Sequence, residues 1–295
     1  MNTNFNIKIL LGCLCVFGSA FFFYLATVII KWSKIQGLHI DPAFFVFARF
    51  VLGFISVLIL MRFQKKRVRI VKKQYLIGRT IANCMAVYCF FKGVDLTSVA
   101  QANILNMTYP LFITLFSWMF LKEQRDGIAV IVVITAFAGV WLILAPDDMN
   151  FGLNSLWALA SGISAAIAIM YLNLSRQVHD TETTLFFMFG FGSLLILILF
   201  FNSLYLPENL ELKYLFFCSL SAIIGQYLLT IGFKYVTAIE GGIISSTRIL
   251  LAAALGPLIA MDPLLPLSGW FGALLIFTGN VYLTVRKARK QILMQ

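Results

Sequence analysis

The chain has 295 residues, 61% of them hydrophobic and 12% charged, with a net charge of +11. Soluble domains carry roughly 25% charged residues, so this composition excludes a soluble fold and points to an integral membrane protein. The positive residues gather in short connections, where they read as topology signals rather than as a nucleic-acid surface.

Ten apolar segments are each long enough to cross about 30 Å of hydrocarbon. They fall near residues 8–33, 42–62, 74–94, 98–121, 126–145, 152–175, 182–204, 212–236, 239–261 and 266–285. The first, from Lys8, is too long for the core of a signal peptide and is expected to be a retained helix. The breaks are short and polar, among them QGLHIDP, RFQKKRVRIVKK, KEQRD, PDDMN, RQVHDTE, LPENLELK and MDPLLP. No stretch fits a soluble domain. The five cysteines, Cys13, Cys15, Cys84, Cys89 and Cys218, lie in apolar stretches and form no CxxC pair. Neither a zinc site nor a disulfide framework is indicated.

With a cytoplasmic N-terminus, 16 of the 23 lysines and arginines fall on the inner side, seven of them in the 62–73 connection. Only Lys31, Lys34, Lys92 and Lys213 fall outside, and Arg49, Arg79 and Arg248 lie within segments. This asymmetry predicts that both termini are cytoplasmic.

A shift of 139 residues superposes the chain on itself. Asp41 meets Asp180, Gly53 meets Gly192, Tyr75 meets Tyr214, Tyr88 meets Tyr227, Gly93 meets Gly232, Thr108 meets Thr247 and Glu123 meets Asp262. Each half then holds five helices, and an odd number forces the second half to run opposite to the first across the bilayer. Such an inverted-topology repeat is a common plan of secondary transporters. The expected fold is all-α, with ten transmembrane helices in two five-helix repeats, 1–146 and 147–295.

Particular stretches resemble a known family. AFFVFARFVLGF in segment 2, LIGRTIANCMAVYCFFKGVDLTSVAQANILNMTYPLFITLFSWMFLKEQ across segments 3 and 4, and ISSTRILLAAALGPLIAMD in segment 9 are similar to EamA-type members of the drug/metabolite transporter superfamily. The small residues opening segment 4, Pro110 and the closing Glu123 match its pattern. Arg49, Arg79 and Arg248 fall where one subgroup, similar to S-adenosylmethionine and riboflavin uptake carriers, also has arginines. The second half departs from the pattern: Ile249 stands at the counterpart of Pro110, and Asp262 replaces a glutamate. The resemblance implies a carrier whose central cavity is lined by segments 3, 4, 8 and 9.

The residues themselves supply candidates for that cavity. In segment 4, Asn103, Asn106 and Pro110 share a helical side, with Thr108 and Tyr109 at similar depth. Pro110 removes a backbone hydrogen bond and loosens the turn before it. In segment 9, Gly241, Ser245 and Arg248 repeat the spacing. Such faces also serve simply to glue helices together. Arg248 is harder to account for by packing. It lies about 13 Å from the inner start of its helix, and a central arginine costs about 2.5–3.5 kcal/mol to insert. Arg49 sits about 10 Å below the outer end of segment 2. Arg79, about 6 Å from the inner end of segment 3, is placed to snorkel to headgroups or to join the face of Asn83, Ala86 and Phe90. Tyr88, Tyr227 and Gln226 read as solute contacts or as hydrogen-bonded packing. The 12 acids all lie at helix ends or in connections, including Asp95, Glu123, Glu240 and Asp262. No carboxylate therefore answers Arg248 at mid-depth.

These features predict a secondary transporter of a small organic metabolite, working by alternating access in a cytoplasmic (inner) membrane. Arg248 and Arg49 are expected to engage a carboxylate or phosphate of the solute. Asn106, Asn103, Tyr109 and Ser245 are expected to supply hydrogen bonds, with Arg79, Tyr88 and Gln226 as further contacts. The expected partners are that solute and membrane lipids, with no nucleic acid; homodimerisation stays open. No catalytic motif, cofactor or metal site is expected: HExxH, P-loop and GxSxG are missing, and His39 and His179 fall in loops. A membrane enzyme acting on lipid-linked substrates is the first alternative and would need an interfacial acid or histidine, with only Asp41 and His39 near. A non-transporting receptor or scaffold is the second.

Overall fold

The computed structural model describes residues 3–120, 127–144, 153–235 and 238–293. Among them the chain forms eleven α-helices: α1 (Thr3–Ile35), α2 (Pro42–Phe63), α3 (Lys73–Leu96), α4 (Val99–Asn106), α5 (Tyr109–Phe120), α6 (Gly127–Leu144), α7 (Ser155–Arg176), α8 (Thr181–Leu199), α9 (Asn209–Tyr235), α10 (Ala238–Ile259) and α11 (Leu267–Leu293). Six are long and apolar enough to cross a membrane, and α6 and α10 carry shorter apolar runs. The boundary between the two halves at 146 and 147 lies outside the described residues, as does Glu123.

The helices match the ten segments with one difference. Segment 4, expected as one helix over 98–121, is two helices meeting at Met107 and Thr108. Pro110 has no N–H to offer the Asn106 carbonyl, and its ring crowds the turn before it. The ladder stops there. Thr108 Oγ1 donates to the Leu105 carbonyl at 2.6 Å, and Asn280 Nδ2 of α11 donates to the freed Met107 carbonyl at 2.8 Å. Broken backbone at membrane depth needs such internal partners, since hydrocarbon offers none.

Polarity is distributed inside out. Leu10, Leu58, Ile131, Ile134, Leu194, Ile198, Phe217 and Phe271 are exposed, whereas Thr27, Asn103, Thr108, Ser161 and Asn280 are fully buried, and Arg49, Arg79 and Arg248 are no more than 8% exposed. An apolar exterior around a polar interior is the arrangement a bilayer selects.

The packing obeys the repeat. Shifting by 139 residues exchanges α1 with α7 and α3 with α9, and the two most extensive helix pairings, α1 on α9 and α3 on α7, are each other's images. The pairs α2–α8, α4–α10 and α6–α11 map onto themselves, and all three are in contact. Both Asp41 and Asp180 cap the next helix, accepting from Ala43 N at 2.7 Å and Thr183 N at 3.1 Å. At the α2–α8 crossing the exchange is reciprocal. A Cβ on Gly53 would fall 2.6 Å from the Phe189 ring, and one on Gly192 would meet Phe50 at 3.5 Å and Cys84 Sγ at 3.2 Å. Phe50 and Phe189 are themselves repeat mates and touch edge to face, 5.9 Å between centroids. Three self-paired crossings and a swapped pair are what an inverted repeat produces about its pseudo-twofold axis.

The two ends differ. At the end bearing the 62–73 connection, the basic face, Lys66 pairs with Glu182 at 2.6 Å. His179 Nε2 accepts from Val71 N at 3.0 Å and Lys72 N at 3.2 Å, while its Nδ1 faces Ser175 Oγ at 3.3 Å. Accepting two N–H groups on Nε2 requires a neutral ring with its proton on Nδ1. His179 thus acts as a clamp on the basic connection. His179→Ala is expected to lower stability by about 1–3 kcal/mol, read from thermal unfolding of the purified protein, with solute flux retained.

At the opposite face, the end of α10 is tied down. Trp32 Nε1 donates to the Ile259 carbonyl at 2.8 Å. Asp262 Oδ2 accepts from Ala100 N, in the first turn of α4, at 3.0 Å, and Oδ1 lies 3.7 Å from Lys31 Nζ. Gln101 Nε2 donates to the Ile143 carbonyl of α6 at 3.0 Å, and Lys34 pairs with Asp95 at 3.3 Å. Contacts of α1, α3, α4, α6 and α10 therefore tie these helices together at this end.

Candidate functional site

Arg248 lies midway along α10, about 15 Å from its first residue, and is 7% exposed. Its Nη2 donates to Asn106 Oδ1. Asn106 is the last residue of α4, so the guanidinium meets the carbonyl-bearing end of that helix, where the backbone dipole favours a cation. The Asn106 amide is fixed from the other side, since its Nδ2 donates to Ser161 Oγ at 2.8 Å and Ser161 Oγ donates to the Ala158 carbonyl at 2.6 Å. This chain of bonds aims the acceptor oxygen at Arg248. The next residue, Gly162, permits it: a Cβ there would fall 2.6 Å from Thr108 Oγ1 and 3.0 Å from the Leu105 carbonyl. The break between α4 and α5 thus rests directly on the backbone of α7.

Aromatic rings make the remaining wall. The Arg248 guanidinium lies 5.4 Å from the Phe90 centroid and 6.0 Å from that of Phe23. Arg49 of α2 lies against the same Phe23 ring at 5.8 Å and against Phe91 at 6.0 Å. Ring faces attract cations, increasingly so when water is excluded. Phe23 packs over Gly225 of α9, where a Cβ would lie 3.2 Å from the ring. Tyr109, the repeat mate of Arg248, is half-buried at the start of α5 and within electrostatic reach of that guanidinium.

Among the described residues, ion pairs form at Lys31–Asp262, Lys34–Asp95 and Lys66–Glu182, all at the two ends. Neither Arg49 nor Arg248 takes part. The Nε atoms of both are buried without a hydrogen-bond partner among the described residues. The side chain of Glu240 lies outside the described residues.

Of the residues predicted from sequence, Arg248, Asn106, Tyr109 and Arg49 come together. Asn103 lies one turn before Asn106 but is fully buried on the α1 side, its Nδ2 donating to Thr27 Oγ1 at 3.0 Å and to the Val99 carbonyl at 2.8 Å. Ser245 is half-buried one turn before Arg248, and Gln226 is half-buried beside Gly225. Tyr88 packs against Phe200, tilted at 4.5 Å, and edge-on to Trp157 at 6.0 Å, towards the opposite face. Arg79 is buried, so the expectation that it snorkels to headgroups is not met. It lies eleven residues, about 16 Å, along α3 from Phe90, apart from the Arg248 cluster. Ser161, Gly162, Asn280 and the Phe23 ring complete the arrangement without having been singled out in the sequence. For Ser161 and Asn280 the one advance signal was the requirement that a disturbed helix find polar partners; Gly162 and Phe23 had none.

Eleven helices among the described residues, in two repeat-related halves, six of them long and apolar enough to cross a membrane, with buried arginines beside a broken helix, define a multi-pass membrane protein of transporter type. The chain belongs to the EamA-like transporter family, whose model matches residues 10–145 and again 153–285. It is 26% identical over 272 residues to an uncharacterized transporter of Helicobacter pylori strain J99, covering 88% of this chain and 90% of that one. It is 24% identical over 229 residues to the pseudopaline exporter CntI of Pseudomonas aeruginosa, covering 77% and 80%. A solved crystal structure superposes with a TM-score of 0.61 at 20% identity, covering 92% of this chain and 97% of the other, and shares the fold. The protein is therefore a membrane transporter of small solutes.

Proposed function

We propose that the transporter moves a small organic metabolite with an anionic group by alternating access, and that the solute binds where Arg248, Asn106, Tyr109 and Arg49 converge. One observation carries this reading: Arg248 is buried at mid-depth, held by a neutral amide, and joined to no carboxylate among the described residues. Intramembrane charges are rare and mark solute or ion pathways. Discontinuous helices at the repeat interface are where carriers place their sites. The relative named for pseudopaline export supports an organic solute of metabolite size. The basic face is assigned to the cytoplasm, from the 16 positive residues on that side against four on the other. Both termini then lie inside a cytoplasmic-type membrane.

The test is flux into and out of proteoliposomes holding the full chain, across a panel of metabolites. Wild type is expected to give saturable flux, and Arg248→Gln to reduce it to background while its helical content and thermal midpoint stay near wild type. Undiminished transport by a folded Arg248→Gln protein overturns the reading.

A further inference from the structure

We propose that the solute is a dianion, with one negative charge for Arg49 and one for Arg248; this deepens the site reading above and rests on it. The two arginines come from different repeats, α2 of the first and α10 of the second. They converge on a single ring, Phe23, at 5.8 and 6.0 Å. Under the repeat shift their counterparts are Met188 and Tyr109, so the pairing of two cations is not a by-product of internal symmetry. Both are more than nine-tenths buried, and each keeps a buried Nε without a partner. They are near enough to repel one another. Arg248 has the Asn106 oxygen and the end of α4 beside it, whereas Arg49 lies against the Phe23 and Phe91 rings, with Cys218 in electrostatic reach.

Charge balance then selects the ligand. A neutral or zwitterionic solute leaves two cations in a low-dielectric interior. A monoanion pairs with one guanidinium and leaves the other unanswered. A solute with two acidic charges brings the loaded site to neutrality, and guanidinium groups pair with carboxylates and phosphates alike through paired N–H donors. The shared chemistry is two formal negative charges on a small molecule, as in a dicarboxylate or a phosphomonoester. The unliganded site, with two like charges unanswered, is the less comfortable state, so such a ligand is expected to stabilise the fold measurably.

The experiment uses the purified full chain in detergent, at matched ionic strength, and measures thermal stabilisation by probes that differ only in charge. Succinate is compared with butyrate, glutarate with valerate, and glycerol 3-phosphate with its monoanionic methyl diester, each up to millimolar concentration. At least one dianion is expected to bind about tenfold or more tightly than its partner probe, the worth of one further ion pair. Response to the dicarboxylates alone, or to the phosphomonoester alone, identifies the source of the charge. Arg49→Gln is expected to erase the preference while leaving monoanion binding, and Arg49→Lys, which keeps the charge and guards against misfolding, is expected to retain it. Equal shifts for dianion and monoanion, a preference that survives in folded Arg49→Gln, or no shift with any dianion overturns the proposal. If Arg248→Gln still abolishes flux in that case, the site stands and only its charge count is wrong. If Arg248→Gln transports normally, the site itself is misplaced.

Discussion

Gly162→Ala is expected to abolish transport while leaving the helical bundle assembled. The added methyl would sit 2.6 Å from Thr108 Oγ1, 3.0 Å from the Leu105 carbonyl and 3.3 Å from the Asn106 carbonyl. The shortest of these is to a side chain, but the other two are to backbone oxygens, so turning the Thr108 hydroxyl leaves contacts that only a small backbone shift relieves. The junction of α4 and α5 must move away from α7. Overpacking of this kind costs about 1–3 kcal/mol, which lowers the thermal midpoint without unfolding the protein. The displaced element carries Asn106, whose amide bridges Ser161 and Arg248. Flux in proteoliposomes should therefore fall to background, beyond what the loss of stability accounts for. A Gly162→Ala protein that transports at the wild-type rate would show that the register of the break does not govern the site.

The second large effect is at Asp262, which is 5% exposed and bridges the end of α10 to α1 and α4. Asp262→Ala leaves the Ala100 N–H without its acceptor and Lys31 without its partner, an expected loss of about 1–3 kcal/mol. Asp262→Asn keeps an acceptor for Ala100 and is expected to be much milder. The pH dependence has a definite sign. Burial holds the Asp262 carboxyl above the usual aspartate range, against the opposing pull of the Ala100 N–H and of Lys31. The fold therefore favours the protonated form. Its contribution is fully present below the ordinary aspartate pKa and fades as pH rises through the raised one. Thermal midpoints measured across that interval should fall with rising pH in wild type and stay flat there in Asp262→Asn. A wild-type profile that rises instead would mean that the Lys31 pair, rather than burial, dominates.

Much of this architecture is written in the residue pattern. Hydropathy placed nine of the ten segments on single helices, most ends within a few residues and the end of α11 eight away, because a helix in lipid must be apolar over its whole length. The shift that joins Asp41 to Asp180 and Gly53 to Gly192 anticipated the swapped helix pairings, because capping and close approach fix residue types at matching points of both halves. Pro110 announced a disturbance but not two separate helices; that outcome needs Asn280, 173 residues away, to take the Met107 carbonyl. Arg248 and Asn106 were each conspicuous as polar residues at mid-depth. Their bond was not legible, since it depends on how α10 crosses α4. Asn103 shared a helical side with Asn106, yet α1 covers that part of the face and takes its amide. The role of Phe23 was hidden for a simpler reason. In a chain with 29 phenylalanines, composition cannot distinguish a ring that faces two guanidinium groups from one that faces lipid.

The fracture in one repeat has a consequence for the energetics of the cycle. A carrier made of two antiparallel copies of one unit reaches its opposite states by letting the copies trade shapes. Were the copies identical, those states would be equal in energy and the empty protein would dwell evenly in both. Here the first copy has a joint between α4 and α5, whereas its counterpart α10 runs unbroken past the corresponding point, with Ile249 where the other has Pro110. One half can flex where the other must tilt as a rod. Under the proposed alternating access, the resting protein is expected to favour one side of the membrane before any solute arrives, through the difference that Pro110 introduces between the halves.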